Sequence, residues 1–228
     1  MKKIRFIIRW AITVFIASTI VAVVAYRFIP VYLTPLMLLR CVEQVRNNEN
    51  LKLRHHWVGI EDMSSDMPLA VMASEDQRFL EHHGFDFDAI QKAVERNKSS
   101  NRKYGASTIT QQTAKNVFLW PGRSWLRKGL EAYFTVLIEV MWSKERIMEV
   151  YLNSIEMGDG IYGLSAVAVE HFGKQAGVLS RSECALIAAT LPNPRRFSSK
   201  KPSSYMIKRR ERILKEMRNL SWKNRLKE

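Results

Sequence analysis

The chain has 228 residues, 46% of them hydrophobic, which is enough for one domain with a proper core and an appendage. Lysine and arginine number 36 against 22 aspartate and glutamate, a formal charge of +14. This surplus predicts an anionic partner: nucleic acid, a membrane surface or a phosphorylated substrate. The histidines and cysteines lack the spacing of a metal site, and we expect Cys41 and Cys184 to be free, partly buried thiols.

The amino-terminal region contains a long run without charge. Residues 10–26, WAITVFIASTIVAVVAY, extend to about 26 Å as a helix, close to the thickness of a bilayer core. We predict a short cytoplasmic segment over 1–9 and a transmembrane helix over 10–29. A cleaved signal peptide is the alternative, but the run is long and a clear A-x-A site is missing. Basic residues before the span favour a cytoplasmic amino terminus and a domain on the outer side.

The rest of the chain has a helical pattern almost throughout. Residues 30–64 are predicted to be a juxtamembrane connection, and Pro68 is predicted to open a helix that continues to about Glu81. A second helix is predicted over 86–97, and the polar stretch 95–105 is predicted to be a loop. We therefore assign the fold to the mostly α class, with the main domain over 65–197.

Further helices are predicted over 107–118, 124–142, 143–153, 164–173 and 180–191, and no β-hairpin signal stands out. The helix over 124–142 has an apolar stripe that comprises Leu126, Leu130, Phe134, Leu137 and Met141. Residues 198–228 predict a basic amphipathic helix and tail, which either is an ordinary solvated helix or lies against anionic lipid. The aromatic stretch 117–126, with Trp120 and Trp125, either enters the bilayer or belongs to the core.

Acidic and imidazole side chains concentrate in ASEDQRFLEHHG, residues 73–84. In a continuous helix Glu75, Phe79 and His82 share one face. A carboxylate beside a phenyl ring is partly shielded from water, as a general base for a sugar hydroxyl needs to be. Asp76 is rotated by about 100° from Glu75 and is free to bond the backbone or a cation. A solvated polar helix is the alternative.

A second polar cluster follows in the chain. Its compact donors are suited to sugar hydroxyls and phosphate oxygens, and they are Gly105, Ser107, Thr108, Gln111, Gln112, Lys115 and Asn116. Lys115, Arg123, Arg127 and Lys128 together form a cationic group suited to a pyrophosphate. Glu131 lies one turn beyond Arg127 and either belongs to this group or forms a helix-surface ion pair of little energetic value.

Five ordered motifs resemble those of the bacterial peptidoglycan glycosyltransferases. E-D-x-x-F-x-x-H-x-G starts at residue 75, G-x-S-T-I-x-Q-Q-x-x-K-N spans 105–116, and R-K-x-x-E with a later glutamate spans 127–139. K-x-x-I-x-E-x-Y-L-N spans 144–153, and GIYGLSAVAVEHFGK matches the fifth region. Two positions depart from the family pattern: Thr135 replaces a small alanine, and His171 replaces the commoner tyrosine. The resemblance covers about residues 65–197.

The resemblance implies a lysozyme-like helical domain that is split by a cleft, with a smaller part that enters the membrane. Family members join lipid-linked disaccharide units into glycan strands, with inversion at the sugar carbon. By motif position Glu75 is the general base, and Glu131 is the second carboxylate, which assists departure of undecaprenyl pyrophosphate. The substrate-binding residues are then Asp76, Phe79, His82, Gly105, Ser107, Thr108, Gln111, Gln112, Lys115, Asn116, Arg123, Arg127 and Lys128.

The resemblance also implies the surroundings of the enzyme. We expect lipid II, the growing glycan strand and membrane lipids as partners, together with proteins of cell-wall synthesis or division, and no nucleic acid. We expect no required cofactor; a divalent Mg or Mn ion at the pyrophosphate stays open. The predicted location is the cytoplasmic (inner) membrane of a bacterium, with a single span and the catalytic domain on its outer, periplasmic side.

Two other functions fit part of the sequence. A lysozyme-like lytic enzyme would use a similar glutamate as a proton donor, but neutral glycan needs no cationic group for a pyrophosphate. A non-catalytic membrane-anchored scaffold for acidic polymers predicts diffuse charge without fixed glutamate positions. The ordered motifs favour the glycosyltransferase.

Overall fold

The computed structural model describes residues 2–99, 105–122 and 124–222. The helices are α1 (Lys2–Phe28), α2 (Pro35–Arg46), α3 (Asp66–Glu75), α4 (Phe87–Ser99), α5 (Ile109–Phe118), α6 (Trp125–Met141), α7 (Lys144–Ser154), α8 (Gly163–Val167), α9 (Arg181–Ala188) and α10 (Ser204–Glu216). The strands are β1 (Arg54–His55), β2 (Glu156–Gly158) and β3 (Ile161–Tyr162). The predicted mostly α, lysozyme-like class is confirmed.

Helix α1 is the one helix in the described ranges that is long and apolar enough to cross a membrane, and it fits a single-pass anchor. It begins at Lys2, well before the predicted start. Its carboxyl half is attached to the domain: the Thr19 and Tyr133 hydroxyls lie 2.8 Å apart, and the Trp142 indole N–H donates to the Val23 carbonyl at 2.8 Å. The Arg146 guanidinium donates to the Tyr26 carbonyl at 2.8 Å. The candidate anchor is therefore packed on the domain.

The core lies where α5 packs on α6 and α7, and where α3 packs on α9 and α10. Polar side chains start these helices as the sequence predicts. Thr108 and Gln111 form a reciprocal capping box at α5, and Ser180 and Glu183 form another at α9. Ser143 caps α7 in the same way, by accepting from a backbone N–H of the first turn. Each cap satisfies backbone donors that would otherwise lack a partner.

The helix predicted to run from Pro68 to Glu81 is wrong at both ends. It begins at Asp66, so Pro68 is its third residue, and it ends at Glu75. Asp76 takes an extended conformation, with φ of −161°, and its carboxylate accepts from the Ile109 N–H at 3.0 Å. α3 therefore ends about six residues before its predicted end, at the point where Asp76 bonds the start of α5. The loop predicted over 95–105 is also partly wrong, since α4 continues to Ser99 and residues 100–104 lie outside the described ranges.

Most of the apolar stripe predicted on α6 faces the core: Phe134 is buried, and Leu130, Leu137 and Met141 pack against the core. Leu126 is 70% exposed, while Phe134 and Ile138 are buried together with Glu131 and Thr135. The helical period is right, but the side that faces the core includes a carboxylate and a hydroxyl. The stripe therefore marks the correct side of α6, except at Leu126 in the first turn.

A small sheet was not predicted. β2 and β3 are antiparallel, β1 is parallel to β3, and the strand order is β1-β3-β2. The turn between β2 and β3 contains Asp159 and Gly160, and Gly160 has φ of +69°. An Asp-Gly pair is a signal for such a hairpin, but strands of two and three residues leave little alternation of polar and apolar side chains to detect.

His171, one of the two departures from the family pattern, forms a hydrogen bond with the buried Ser199 at 2.7 Å.

The basic helix predicted near the carboxyl terminus forms as α10. It buries Met206 and Ile213 and packs on α3 and α9. Of the two alternatives, the helix lying against lipid is disfavoured, because its apolar side is covered by the domain itself. α10 thereby brings a basic side chain to the end of α3. Both cysteines are free, with Cys184 buried and Cys41 half-buried.

Candidate active site

Glu75 is the last residue of α3 and lies at the edge of a cleft of about 320 Å³. Its side chain is 15% exposed, so the carboxylate is reachable but largely shielded. The end of α3, the start of α4 and the segment before α5 line this cleft. The lining residues that were predicted as site residues are Glu75, Asp76, Gly105, Ser107 and Thr108.

Hydrogen bonds hold the Glu75 carboxylate in one orientation. The Gln112 amide donates to Glu75 Oε2 at 3.2 Å, and the Ser74 hydroxyl lies 2.8 Å from Oε1. The Tyr151 hydroxyl lies 3.3 Å from Gln112 Oε1 and donates to it, which turns the amide nitrogen toward Glu75. Burial, and then the nearby charge of Glu75, raises the pKa of Tyr151 well above its ordinary value. Tyr151 therefore stays a neutral donor.

Asp76 and His82 form a buried pair beside the site. His82 Nε2 lies 3.0 Å from both Asp76 carboxylate oxygens, and one of these also accepts from the Ile109 N–H at the start of α5. A carboxylate at a helix amino terminus is electrostatically favourable. Phe79 is fully buried and does not share a helix face with Glu75, because α3 has already ended. Phe79 and His82 were predicted to bind substrate, and neither is among the residues that line the cleft beside Glu75.

Several residues predicted to grip substrate are engaged in the scaffold. The Thr108 hydroxyl donates to the Gly84 carbonyl at 2.6 Å, and the Gln111 side chain completes the cap of α5. Gln111 and Asn116 are buried, at 5% and 9% exposure. Two predicted donors on α5 are half-buried and interact with Glu75: Gln112 by a hydrogen bond and Lys115 by its charge. The polar residues of this motif are therefore divided between the cap of α5 and contacts with Glu75.

A cluster of cations surrounds the second carboxylate. Glu131 has a 4% exposed side chain, and it accepts from the Arg127 guanidinium at 2.9 Å and the Lys128 ammonium at 2.5 Å. The ion pair predicted as a surface alternative is thus buried on the glutamate side. Arg127 is 12% exposed and Lys128 is 47% exposed, so the cluster reaches from the interior to solvent. Arg123 lies outside the described residues.

The charges of both carboxylates, Glu75 and Glu131, act on Lys115. Burial lowers its pKa most, the positive charges of Arg127 and Lys128 lower it further, and the negative charges of Glu131 and Glu75 raise it. Within the described part of the chain, its ammonium makes no direct hydrogen bond or ion pair. A half-buried cation without a direct partner is suited to bind an anion.

Arg209 was missed by the sequence analysis. Its guanidinium donates to the Ser74 hydroxyl at 2.9 Å and lies 3.6 Å from Glu75 Oε1. The signal was present, since Arg209 falls between Met206 and Ile213 at helical spacing, on the buried side of α10. A cation on the apolar side of an amphipathic helix indicates that an anion faces it. Lys144 was also missed; it donates to the His82 carbonyl at 2.7 Å and to Glu139 at 2.8 Å.

Two remaining predictions concern a divalent metal ion and the tryptophans Trp120 and Trp125. No group of three or more His, Cys, Asp or Glu side chains suited to hold a metal occurs within the described ranges. Both oxygens of Glu131 already accept from cations, and the divalent ion stays a prediction. Trp120 is 45% exposed and Trp125 is 92% exposed, so neither is a core residue.

Comparison with known proteins shows the family of the chain. The transglycosylase family model matches residues 42–218. A biosynthetic peptidoglycan transglycosylase of Bacteroides thetaiotaomicron is 59% identical over 95% of this chain and 87% of its own length. A protein of the same name from Bdellovibrio bacteriovorus is 55% identical over 90% of this chain and 82% of its own length. Another from Chromohalobacter salexigens is 48% identical over 96% of this chain and 93% of its own length. The chain therefore belongs to the transglycosylase family, alongside the biosynthetic peptidoglycan transglycosylases.

Proposed function

We propose that this peptidoglycan transglycosylase polymerises lipid II into glycan strands and releases undecaprenyl pyrophosphate. One observation carries the proposal: Glu75, held by Gln112 at 3.2 Å, and Glu131, held by Arg127 at 2.9 Å, both act by their charge on the half-buried Lys115, which has no direct partner in the described ranges. A base and an anion-binding group are thus neighbours, as transfer of a sugar from a pyrophosphate requires.

In the proposed reaction Glu75 removes the proton from the 4-hydroxyl of the acceptor sugar. The deprotonated 4-oxygen of the acceptor forms a bond to C1 of the donor. The bond from C1 to the pyrophosphate oxygen breaks at the same time, and the pyrophosphate oxygen keeps the electron pair. Attack from the face opposite the leaving group converts an α-linked donor into a β-linked product, without a glycosyl-enzyme intermediate. Gln112 and Ser74 hold the base during proton transfer.

Cations stabilise the leaving group in this mechanism. Lys115, Arg127 and Lys128 neutralise the charge that grows on the pyrophosphate as the bond breaks. Glu131 acts by orienting Arg127 and Lys128, to which both of its oxygens are bonded. Ser107, Gly105 and Arg123 are assigned to substrate binding by motif position, and Asp76 and His82 to positioning. A divalent ion at the pyrophosphate would add charge stabilisation at the same place.

The proposed location is the outer side of the bacterial cytoplasmic membrane, with α1 as the single span. Such an anchor keeps the enzyme at the surface where a lipid-linked substrate is found. The exposed Trp120 and Trp125 are suited to the membrane interface. Proteins of cell-wall synthesis or division are the expected protein partners.

Purified protein and fluorescent lipid II provide the test. We expect long glycan polymer and released undecaprenyl pyrophosphate from the wild type, and loss of both from Lys115→Met. Lys208→Met, which removes an exposed lysine of α10, is the matched control and should retain activity. Fragmentation of preformed glycan without polymer formation would instead support the lytic alternative, and polymer formation by Lys115→Met at the wild-type rate would contradict the role of the cation.

A further inference from the structure

We propose that α2 lies in the outer interface of the membrane that α1 crosses, with the face formed by Leu38, Val42 and Val45 in contact with lipid. This proposal rests on α1 as the membrane anchor of the proposed function. The three side chains recur at i, i+4 and i+7, and they are 51%, 62% and 60% exposed. A water-soluble helix would turn such a face inward.

The opposite face of α2 is already occupied by the domain. Met37 and Gln44 are buried, and α2 packs against α5. The Gln44 side-chain oxygen accepts from the Lys52 N–H at 2.8 Å, so the helix cannot rotate without losing this bond. Thr34 caps its first turn, and Pro35 occupies the first helical position. The apolar face is therefore held outward by contacts on the other side.

Lipid is the occupant that the chain path indicates. Residues 29–34 join α1 to α2 and extend to at most about 20 Å, so α2 must lie near the end of the candidate span. Along this path Phe28, Ile29, Tyr32 and Leu33 are 72%, 51%, 66% and 45% exposed. Exposed apolar side chains therefore occur along the connection from the anchor to α2, with the buried Val31 and Thr34 among them. An amphipathic helix placed there buries its apolar side at the boundary between headgroups and acyl chains.

The contact between α2 and α5 links this surface to the site. α5 contains Gln112 and Lys115, which interact with Glu75. The depth of α2 in the interface would therefore set the height of the anion-binding group above the bilayer. A lipid-linked pyrophosphate lies at that interface, so the two heights must match.

Site-specific fluorescence in the full-length protein tests the proposal. In a Cys41→Ser, Cys184→Ala background, single cysteines at Val42, at Ile16 of α1 and at Val178 are labelled with an environment-sensitive nitrobenzoxadiazole probe, and the protein is reconstituted into phosphatidylcholine–phosphatidylglycerol vesicles. Val178 is a matched control, since it is 65% exposed and lies in the turn before α9. Circular dichroism confirms that each labelled protein is folded. Quenching by spin-labelled lipid and by aqueous iodide is then compared.

We expect blue-shifted emission and lipid quenching at positions 42 and 16, and iodide quenching at position 178. Lipid quenching at 16 with iodide quenching at 42 would overturn the proposal for α2 while the anchor stands. Protection of position 42 from both quenchers would show that protein, a second copy or another partner, covers the face, and would overturn it as well. Iodide quenching at 16 would refute the anchor, and the proposal for α2 with it, whereas the lipid II assay would still test the chemistry.

Discussion

Replacing each of the two carboxylates by its amide should separate catalysis from stability. We expect Glu75→Gln and Glu131→Gln both to reduce polymerisation, but only Glu131→Gln to destabilise the fold clearly. The reason is the environment of the two side chains. Glu131 is almost fully buried between two cations that it contacts directly, whereas Glu75 lies at the cleft and its nearest cation, on Arg209, is 3.6 Å away.

The magnitude follows from the contacts of Glu131. Removing one member of a fully buried ion pair costs about 3–5 kcal/mol, because the remaining charge is left without a partner. Lys128 is 47% exposed and can return to water, so its share is small, and glutamine keeps one acceptor for Arg127. We therefore expect Glu131→Gln to lower the free energy of unfolding by about 2–3 kcal/mol. In a domain of this size that corresponds to a fall of roughly 4–12 °C in Tm. Glu75→Gln should cost less than about 1 kcal/mol.

Thermal unfolding followed by circular dichroism, in one detergent and at one pH, measures both values. The wild type and the Glu145→Gln variant serve as references, since Glu145 is exposed in the first turn of α7. Equal Tm values for Glu131→Gln and Glu75→Gln would contradict the reasoning, because the buried pair would then have no greater energetic weight than the hydrogen bonds at the cleft. A large loss in Glu75→Gln alone would reverse the assignment of structural and catalytic roles.

Three further predictions follow from other contacts. Lys115→Met should stabilise the fold at neutral pH, because burial lowers the pKa of this lysine and so disfavours its charged form. The gain in unfolding free energy over wild type should shrink as pH rises through that lowered pKa, and denaturant titration at several pH values measures it. Arg209→Lys should slow polymerisation by about tenfold through loss of the contact with the Ser74 hydroxyl, with an unchanged circular dichroism spectrum; wild-type kcat would contradict this. Gly84→Ala should destabilise the fold by about 2–4 kcal/mol, because Gly84 has φ of +86° and an added Cβ would lie 2.7 Å from Thr135 Cγ2. Adding Thr135→Ala should restore part of the lost stability, and a double variant as unstable as Gly84→Ala would contradict the clash.

The parts of the fold that depend on local chemistry were predictable. The caps at Thr108, Ser143 and Ser180 follow from side chains within three residues of the backbone groups that they satisfy. The end of α3 was not predictable in this way, because Asp76 gives up a helical position for a bond to Ile109, which is 33 residues further along the chain. Local helix propensity has no information about such a contact.

The same reason explains what was missed at the site. The motif residues Glu75, Lys115 and Glu131 could be singled out from their order and chemistry, but Arg209 reaches the site only because α10 packs on α3 and α9. The burial of Phe79 and His82 was likewise hidden, because it depends on contacts with Asp76 and Lys144 rather than on helical spacing. Sequence patterns therefore predicted the chemical groups, while tertiary contacts decide which of them face the cleft.

The rate of lipid II polymerisation by Glu75→Gln, relative to Glu145→Gln and wild type, tests the central claim most directly. Removal of a general base lowers a rate by about 100-fold or more. We therefore predict a loss of at least that size in kcat for Glu75→Gln, with wild-type kcat in Glu145→Gln and unchanged circular dichroism spectra in both. Polymer formation by a folded Glu75→Gln enzyme at the wild-type rate would contradict the assignment of Glu75 as the base.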